Sequence, residues 1–178
     1  MNLYAIKING LNNPVGFDYE QLLCSWKVKN SCGHSQKWTR IAVSLDKTMT
    51  SIIYEKKGVL NSAGEVLEIS LEPYTRYYYQ ITVHSDADEE CSSDICYFET
   101  AKLQDPWSAD WLGVQDGDVH PEFQKTFSIN KKVKNAKIYI CGLGVFETYL
   151  GDKKIGNDLL APFINDYEEH YQYCTYDV

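Results

Sequence analysis

No run of apolar residues in this chain of 178 approaches the roughly 18 that a membrane-crossing helix needs. Met1 to Asn13 carries Lys7 and no continuous apolar stretch followed by small residues, so a secretory leader is not expected there. Positive charge is scarce: 17 Lys and Arg against 25 Asp and Glu leave a formal net charge of -8. Nucleic-acid partners are therefore not expected, because polyanion recognition draws most of its affinity from clustered lysine and arginine. The one basic cluster, Lys131-Lys132-Val133-Lys134, sits at an expected strand entry and reads as a solvated turn.

Motifs for metal, cofactor and nucleophile chemistry are also missing. The six cysteines, at 24, 32, 91, 96, 141 and 174, form no Cys-x-x-Cys pair, and no His-x3-His follows them. Cys24 with Cys32, Gly33 and His34 falls short of a closed zinc site, which takes four ligands at set spacing. Free thiols in a reducing compartment are expected, which places the chain in the cytoplasm. The densest acidic loop, Asp116-Gly117-Asp118 with His120 and Glu122, has oxygen ligands of the kind calcium takes, yet a polar turn accounts for it as well. No Gly-rich phosphate loop, Ser-His-Asp set or His-Glu-x-x-His occurs, so no cofactor and no metal are expected.

What the chain has in quantity is aromatic and β-forming material: 14 tyrosines, 4 tryptophans and a hydrophobic fraction of 44%. Disordered chains lack such residues. Leu22, Cys24, Trp26 and Val28 alternate with Leu23, Ser25 and Lys27, and Ile41, Val43 and Leu45 repeat the two-residue period, as do Leu67, Ile69 and Leu71. A period of two is the mark of a half-buried strand. Turn clusters separate the runs at Asn30-Ser31-Cys32-Gly33, Asn61-Ser62-Ala63-Gly64 and Ser85-Asp86-Ala87-Asp88. No long helical period is present, so an all-β sandwich is expected rather than a βαβ fold.

The segment Leu71 to Val83 is the most informative. Leu71, Pro73, Thr75 and Tyr77 lie two apart, the spacing of a chain crossing from one sheet to the other, and Tyr77, Tyr79, Ile81 and Val83 then define one buried face. In immunoglobulin and fibronectin type III sandwiches a tyrosine at such a corner hydrogen-bonds back to the corner backbone. Tyr77 is the candidate here, with Pro73 at the turn and Trp26 as the core tryptophan of an early strand.

The pattern breaks at Lys102-Leu103-Gln104-Asp105-Pro106, where proline and polar residues mark a boundary between 1–102 and 103–178. Strands are expected in the second unit at Phe123 to Ile129, Ala136 to Cys141 and Gly144 to Leu150, with Gly151-Asp152 as a hairpin turn. A complete sandwich takes about 100 residues. The second unit is therefore expected to be a truncated sandwich whose further strands lie beyond residue 178.

Several stretches then point to one family: Asn13-Pro14-Val15-Gly16, Ser25-Trp26, Thr75-Arg76-Tyr77-Tyr78-Tyr79, Phe98-Glu99-Thr100 and Trp107-Ser108-Ala109-Asp110-Trp111-Leu112-Gly113. The densest region includes Gly142-Leu143-Gly144-Val145-Phe146-Glu147, Leu160-Ala161-Pro162, Asp166-Tyr167 and Tyr171 to Val178. Together they resemble the N-terminal portion of bacterial α-L-rhamnosidases. Two departures stand out. Leu150-Gly151-Asp152 replaces the family's Leu-Asn-Gly, and Phe163-Ile164-Asn165 replaces Gly-Trp-Thr before Asp166-Tyr167, removing an aromatic face on which a sugar could stack.

The resemblance implies a fibronectin type III-like sandwich followed by a second β-sandwich, ahead of a catalytic (α/α)6 barrel. It also implies inverting hydrolysis of a rhamnose-containing glycoside by two carboxylic acids. Those acids belong to the barrel, so no catalytic residue is assigned in this chain, and carbohydrate-binding residues stay unassigned. The implied partners are the downstream barrel and, through the parent protein, the glycoside; the isolated chain is expected to self-associate. The alternative is a self-standing carbohydrate-binding or adhesion module of the same sandwich design.

Overall fold

The computed structural model describes residues 1–114 and 120–178, with no helix among them. The chain divides into two units, Met1–Gln104 and Asp105–Val178. The division falls slightly later than the sequence suggests because Leu103 is still tied to the first unit: its N–H donates to Asp18 Oδ1 at 2.7 Å.

The first unit holds β1 (Asn2–Ile8), β2 (Leu23–Lys29), β3 (Gln36–Ser44), β4 (Ile52–Gly58), β5 (Glu65–Val66), β6 (Arg76–Ser85), β7 (Glu90–Ser92) and β8 (Cys96–Glu99). One sheet runs β1-β2-β5; the other runs β4-β3-β6-β7, with β8 also pairing β6. Ile8, Cys24 and Trp26 face inward from the first sheet and meet Ile41, Val43, Tyr77, Tyr79, Ile81, Val83 and Phe98 from the second. Full burial of such a side chain stabilises the fold by roughly 1.5 to 3 kcal/mol relative to exposure. Phe98 is the hub. Tyr77 stacks on it at 5.1 Å, while Tyr19 meets it edge-on at 5.7 Å.

Sheet edges in this unit are managed locally. The register of β1 against β2 shifts between Tyr4 and Lys7, where Ala5 adopts a φ of 49°, so the edge strand is bulged. After β1 the chain changes sheets. Asn13 Oδ1 accepts from Tyr97 N–H, Pro14 O accepts from Glu99 N–H, and Phe17 bridges Thr100 in parallel, so residues 13–17 cover the outer edge of β8.

Two of the expected alternations do not run their full length. Val28, next to the last residue of β2, is 39% exposed, and Leu45, just past the end of β3, is 50% exposed. Of the run Leu67-Ile69-Leu71 none is in a strand: β5 stops at Val66, and the chain lifts off toward the corner at Pro73. Leu67 is nonetheless buried, and Ile69 and Leu71 pack against the core, since an extended crossing segment keeps the period of two.

The second unit holds β9 (Lys137–Cys141), β10 (Thr148–Leu150), β11 (Lys153–Ile155) and β12 (Tyr173–Asp177). β9 pairs antiparallel with β12 from Lys137↔Asp177 to Cys141↔Tyr173, and β10 pairs with β11. Gly151, with φ of 60°, opens the two-residue turn between β10 and β11, a position that favours glycine. At Gly156 a Cβ would lie 2.5 Å from the Tyr176 ring, so only glycine lets the backbone pass that close. Phe123 to Ile129 forms no strand, and Gly144 to Leu150 is strand only from Thr148. Without a neighbouring strand among the described residues, apolar alternation has no ladder to enter.

Candidate functional site

Tyr77 is buried, and its hydroxyl accepts the backbone N–H of Glu72 at 2.7 Å. Around it Thr75 Oγ1 donates to Pro73 O at 2.8 Å, Thr75 N–H donates to Thr100 Oγ1 at 2.9 Å, and Thr100 Oγ1 donates to Glu72 O at 2.7 Å. Polar backbone in the corner is thus satisfied by side chains from the corner itself and from the end of β8. Burial holds the Tyr77 phenol above its ordinary pKa, opposed by the Glu72 bond. Trp26 is buried in the same core, with its backbone N–H donating to Ser62 O at 3.0 Å. Pro73 and Tyr77 come together at one corner; Trp26 belongs to β2, so these three residues form a structural frame and not a reaction centre.

Several carboxylates of the first unit hold loops. Asp46 caps the β3–β4 hairpin, taking bonds from Thr48 Oγ1, Ser51 N–H, Thr50 N–H and Ser44 Oγ, and its carboxyl is held well below the usual range as a result. Asp86 and Glu89 do the same for the 31–35 loop through Ser35, His34, Ser31 and Cys32. Glu99, 5% exposed, meets Arg76 at 2.8 Å. A group with such a fixed partner is serving the fold. Burial pushes the Cys24 thiol up to about 12, which makes it inert.

Among the described residues no group of three or more His, Cys, Asp or Glu side chains is placed to hold a metal ion. Asp116, Gly117 and Asp118 lie outside the described residues, while His120 and Glu122 are exposed. Cys24 is buried and Cys32 exposed, both as free thiols.

The second unit differs in kind. The whole cluster of buried core residues belongs to the first unit, and in the second Pro162 alone is buried among the described residues. In the second, Trp111, Leu112, Leu159, Leu160, Phe163 and Ile164 are exposed, the last two at 80% and 82%. What order it has comes from aromatic contacts, Trp107 against Tyr173 at 5.4 Å and Trp111 against Tyr171 at 5.8 Å, and from its paired strands. Apolar area of this size, next to strands whose second edges are unpaired among the described residues, is characteristic of an interaction surface. Sequence reasoning expected strands at Phe123 to Ile129 and Gly144 to Leu150 and did not single out these exposed residues as a surface.

Comparison with known proteins agrees with this division. Residues 3–104 match the family described as the Rha78A-like, N-terminal immunoglobulin domain, and residues 131–178 match the α-L-rhamnosidase N-terminal domain. An α-L-rhamnosidase of Formosa agariphila is 27% identical over 97% of this chain and 22% of its own length. Among solved structures, an α-L-rhamnosidase from Dictyoglumus thermophilum superposes with a TM-score of 0.85 at 26% identity, over 99% of this chain and 23% of that one. One from Aspergillus terreus shares the fold at 19% identity, with a TM-score of 0.78 over 99% of this chain and 22% of that one. The chain spans about a fifth of the length of the curated relatives it matches. With an immunoglobulin-like sandwich matched across its first unit and rhamnosidase N-terminal sequence in its second, the chain belongs to the N-terminal region of the α-L-rhamnosidase family.

Proposed function

We propose that this chain is the noncatalytic N-terminal part of a glycoside hydrolase that releases terminal L-rhamnose, and that it supports a catalytic barrel supplied by the rest of the parent protein. The observation that carries this reading is the uncovered apolar surface of the second unit. A self-standing binding module would close over its own apolar residues, whereas Leu159, Leu160, Phe163 and Ile164 stand in water here. In the parent, later polypeptide covers them; in isolation, copies of the chain meet through the same surface. The held carboxylates are committed to loops and cations, which fits a supporting role. The six free thiols favour a reducing, cytoplasmic setting.

The test is an assay of the purified chain against an aryl α-L-rhamnoside, alone and joined to the downstream region of its gene. Hydrolysis only by the joined protein, with binding of a hydrophobic dye falling on joining, is the expected result. Turnover by the 178 residues alone would overturn the reading.

A further inference from the structure

Ile81 and Val83 of β6 point into the core, so His84 falls on the outer face of the sheet, where it pairs in register with Glu90 of β7. Its Nε2 lies 3.2 Å from Asp88 Oδ1, in the turn between the two strands, and its Nδ1 lies 3.6 Å from Glu90 Oε2. Each ring nitrogen therefore faces a carboxylate. A neutral imidazole carries hydrogen on one nitrogen and only a lone pair on the other, so whichever tautomer forms, one acceptor is set against another. Nδ1 is shielded from water and has no hydrogen-bond partner. Only the doubly protonated ring offers a donor to both carboxylates.

The neighbours from each packed element bear on that second proton. From β3, Trp38 stacks on the imidazole with centroids 5.2 Å apart and planes within 4°, and an indole face attracts a cation. Two lysines oppose it. Lys37 Nζ meets Asp88 Oδ1 at 2.9 Å, and Lys57 Nζ, from β4, lies 3.8 Å from the Trp38 ring centroid. The lysines contact Asp88 and Trp38, whereas the carboxylates contact the imidazole itself, and Coulomb attraction falls with distance. The other carboxylates of the turn are engaged elsewhere: Asp86 accepts from His34 N–H and Ser35 Oγ, and Glu89 from Ser31 Oγ and Cys32 N–H.

We propose that His84 is an acid-closed clasp: a proton taken from solvent lets it bond Asp88 and Glu90 together, fastening β7 and the preceding turn to β6. The place suits such a device. β7 is only three residues long, and its turn carries the two carboxylates that hold the 31–35 loop. An imidazole ordinarily gains its second proton near pH 6.5 (about), so the clasp is closed on the acid side of that range and open on the alkaline side. Carboxylates ordinarily ionise near pH 4 (about), so both partners keep their charge throughout.

The experiment is amide hydrogen exchange of the 178-residue chain, read by mass spectrometry on peptides spanning residues 84–92. Rates at about pH 5.5 and about pH 8 are compared after correction for intrinsic exchange. Protection should be about two- to fivefold greater at the acid pH, the range of a partly exposed ion pair. Glu90→Gln, at an exposed side chain that leaves the core untouched, should remove the difference, and so should His84→Gln. His34→Gln, which removes the other histidine of the first unit, should leave it intact. In carbon spectra the Glu90 carboxyl should shift together with the His84 ring as pH is varied. Equal protection at the two pH values, an unchanged difference in Glu90→Gln, or greater protection at the alkaline pH would each overturn the proposal.

Discussion

The hydroxyl of Tyr77 accepts the N–H of Glu72, five residues back along the chain, at 2.7 Å. That one bond closes the corner through which the chain passes from one sheet to the other. Tyr77→Phe should therefore cost the net value of a buried hydrogen bond, roughly 0.5 to 1.5 kcal/mol. Tyr77→Ala also empties the space beneath Phe98 and should cost on the order of 3 to 5 kcal/mol. Tyr78→Ala, on the outer face, should be mild. Denaturant midpoints of the three variants check the order, and equal losses for the two alanine variants would contradict it.

Arg76 and Glu99 form the second test. Glu99 is 5% exposed and faces the Arg76 guanidinium at 2.8 Å, from directly opposite it in the β6–β8 register. Arg76→Ala strands a shielded carboxylate and should cost on the order of 2 kcal/mol, the guanidinium itself being partly solvated. Replacing both residues with leucine should recover much of that loss. Urea unfolding of the single and double variants measures the difference.

Acid should act on the loops. Hydrogen bonds hold Asp46, Asp86 and Glu89 below their ordinary pKa values in the folded chain. Depressed folded values mean that the stability they contribute is present above the unfolded values, near pH 4 (about), and is lost as pH falls through the folded ones. Melting temperature should thus hold from neutral pH down to that range and then decline. Asp46→Asn should start lower at neutral pH and lose less on acidification, and an unchanged acid slope would show that the hairpin cap contributes nothing.

Exposed apolar area in the second unit should make the isolated chain self-associate, whereas residues 1–104, which carry their own core, should remain monomeric. Light scattering on both proteins at matched concentration decides this. Replacing Phe163 and Ile164 with serine should shift the longer chain toward monomer. Strict monomers at every concentration would show that the second unit covers itself in solution.

Some of this architecture is legible from local pattern. Tyr77, Tyr79, Ile81 and Val83 are all buried because a strand turns its side chains by half a revolution per residue, which writes the inner face directly into the order of residues. The corner could be read from Leu71, Pro73, Thr75 and Tyr77 for the same reason. The excess of carboxylates over cations and the lack of metal-ligand spacing also depend only on composition and order.

Other features are decided by what lies next to a residue in space. Phe123 to Ile129 has strand-like composition, yet a strand exists only with a neighbour to pair, and none of the described residues supplies one. Val28 and Leu45 keep the period and still face water at the ends of β2 and β3. Residues 13–17 covering the edge of β8 join segments far apart in the chain. Periodicity reports which way a side chain points. Only the tertiary structure decides what stands opposite it, because pairing and overlap are set by the packing of whole sheets.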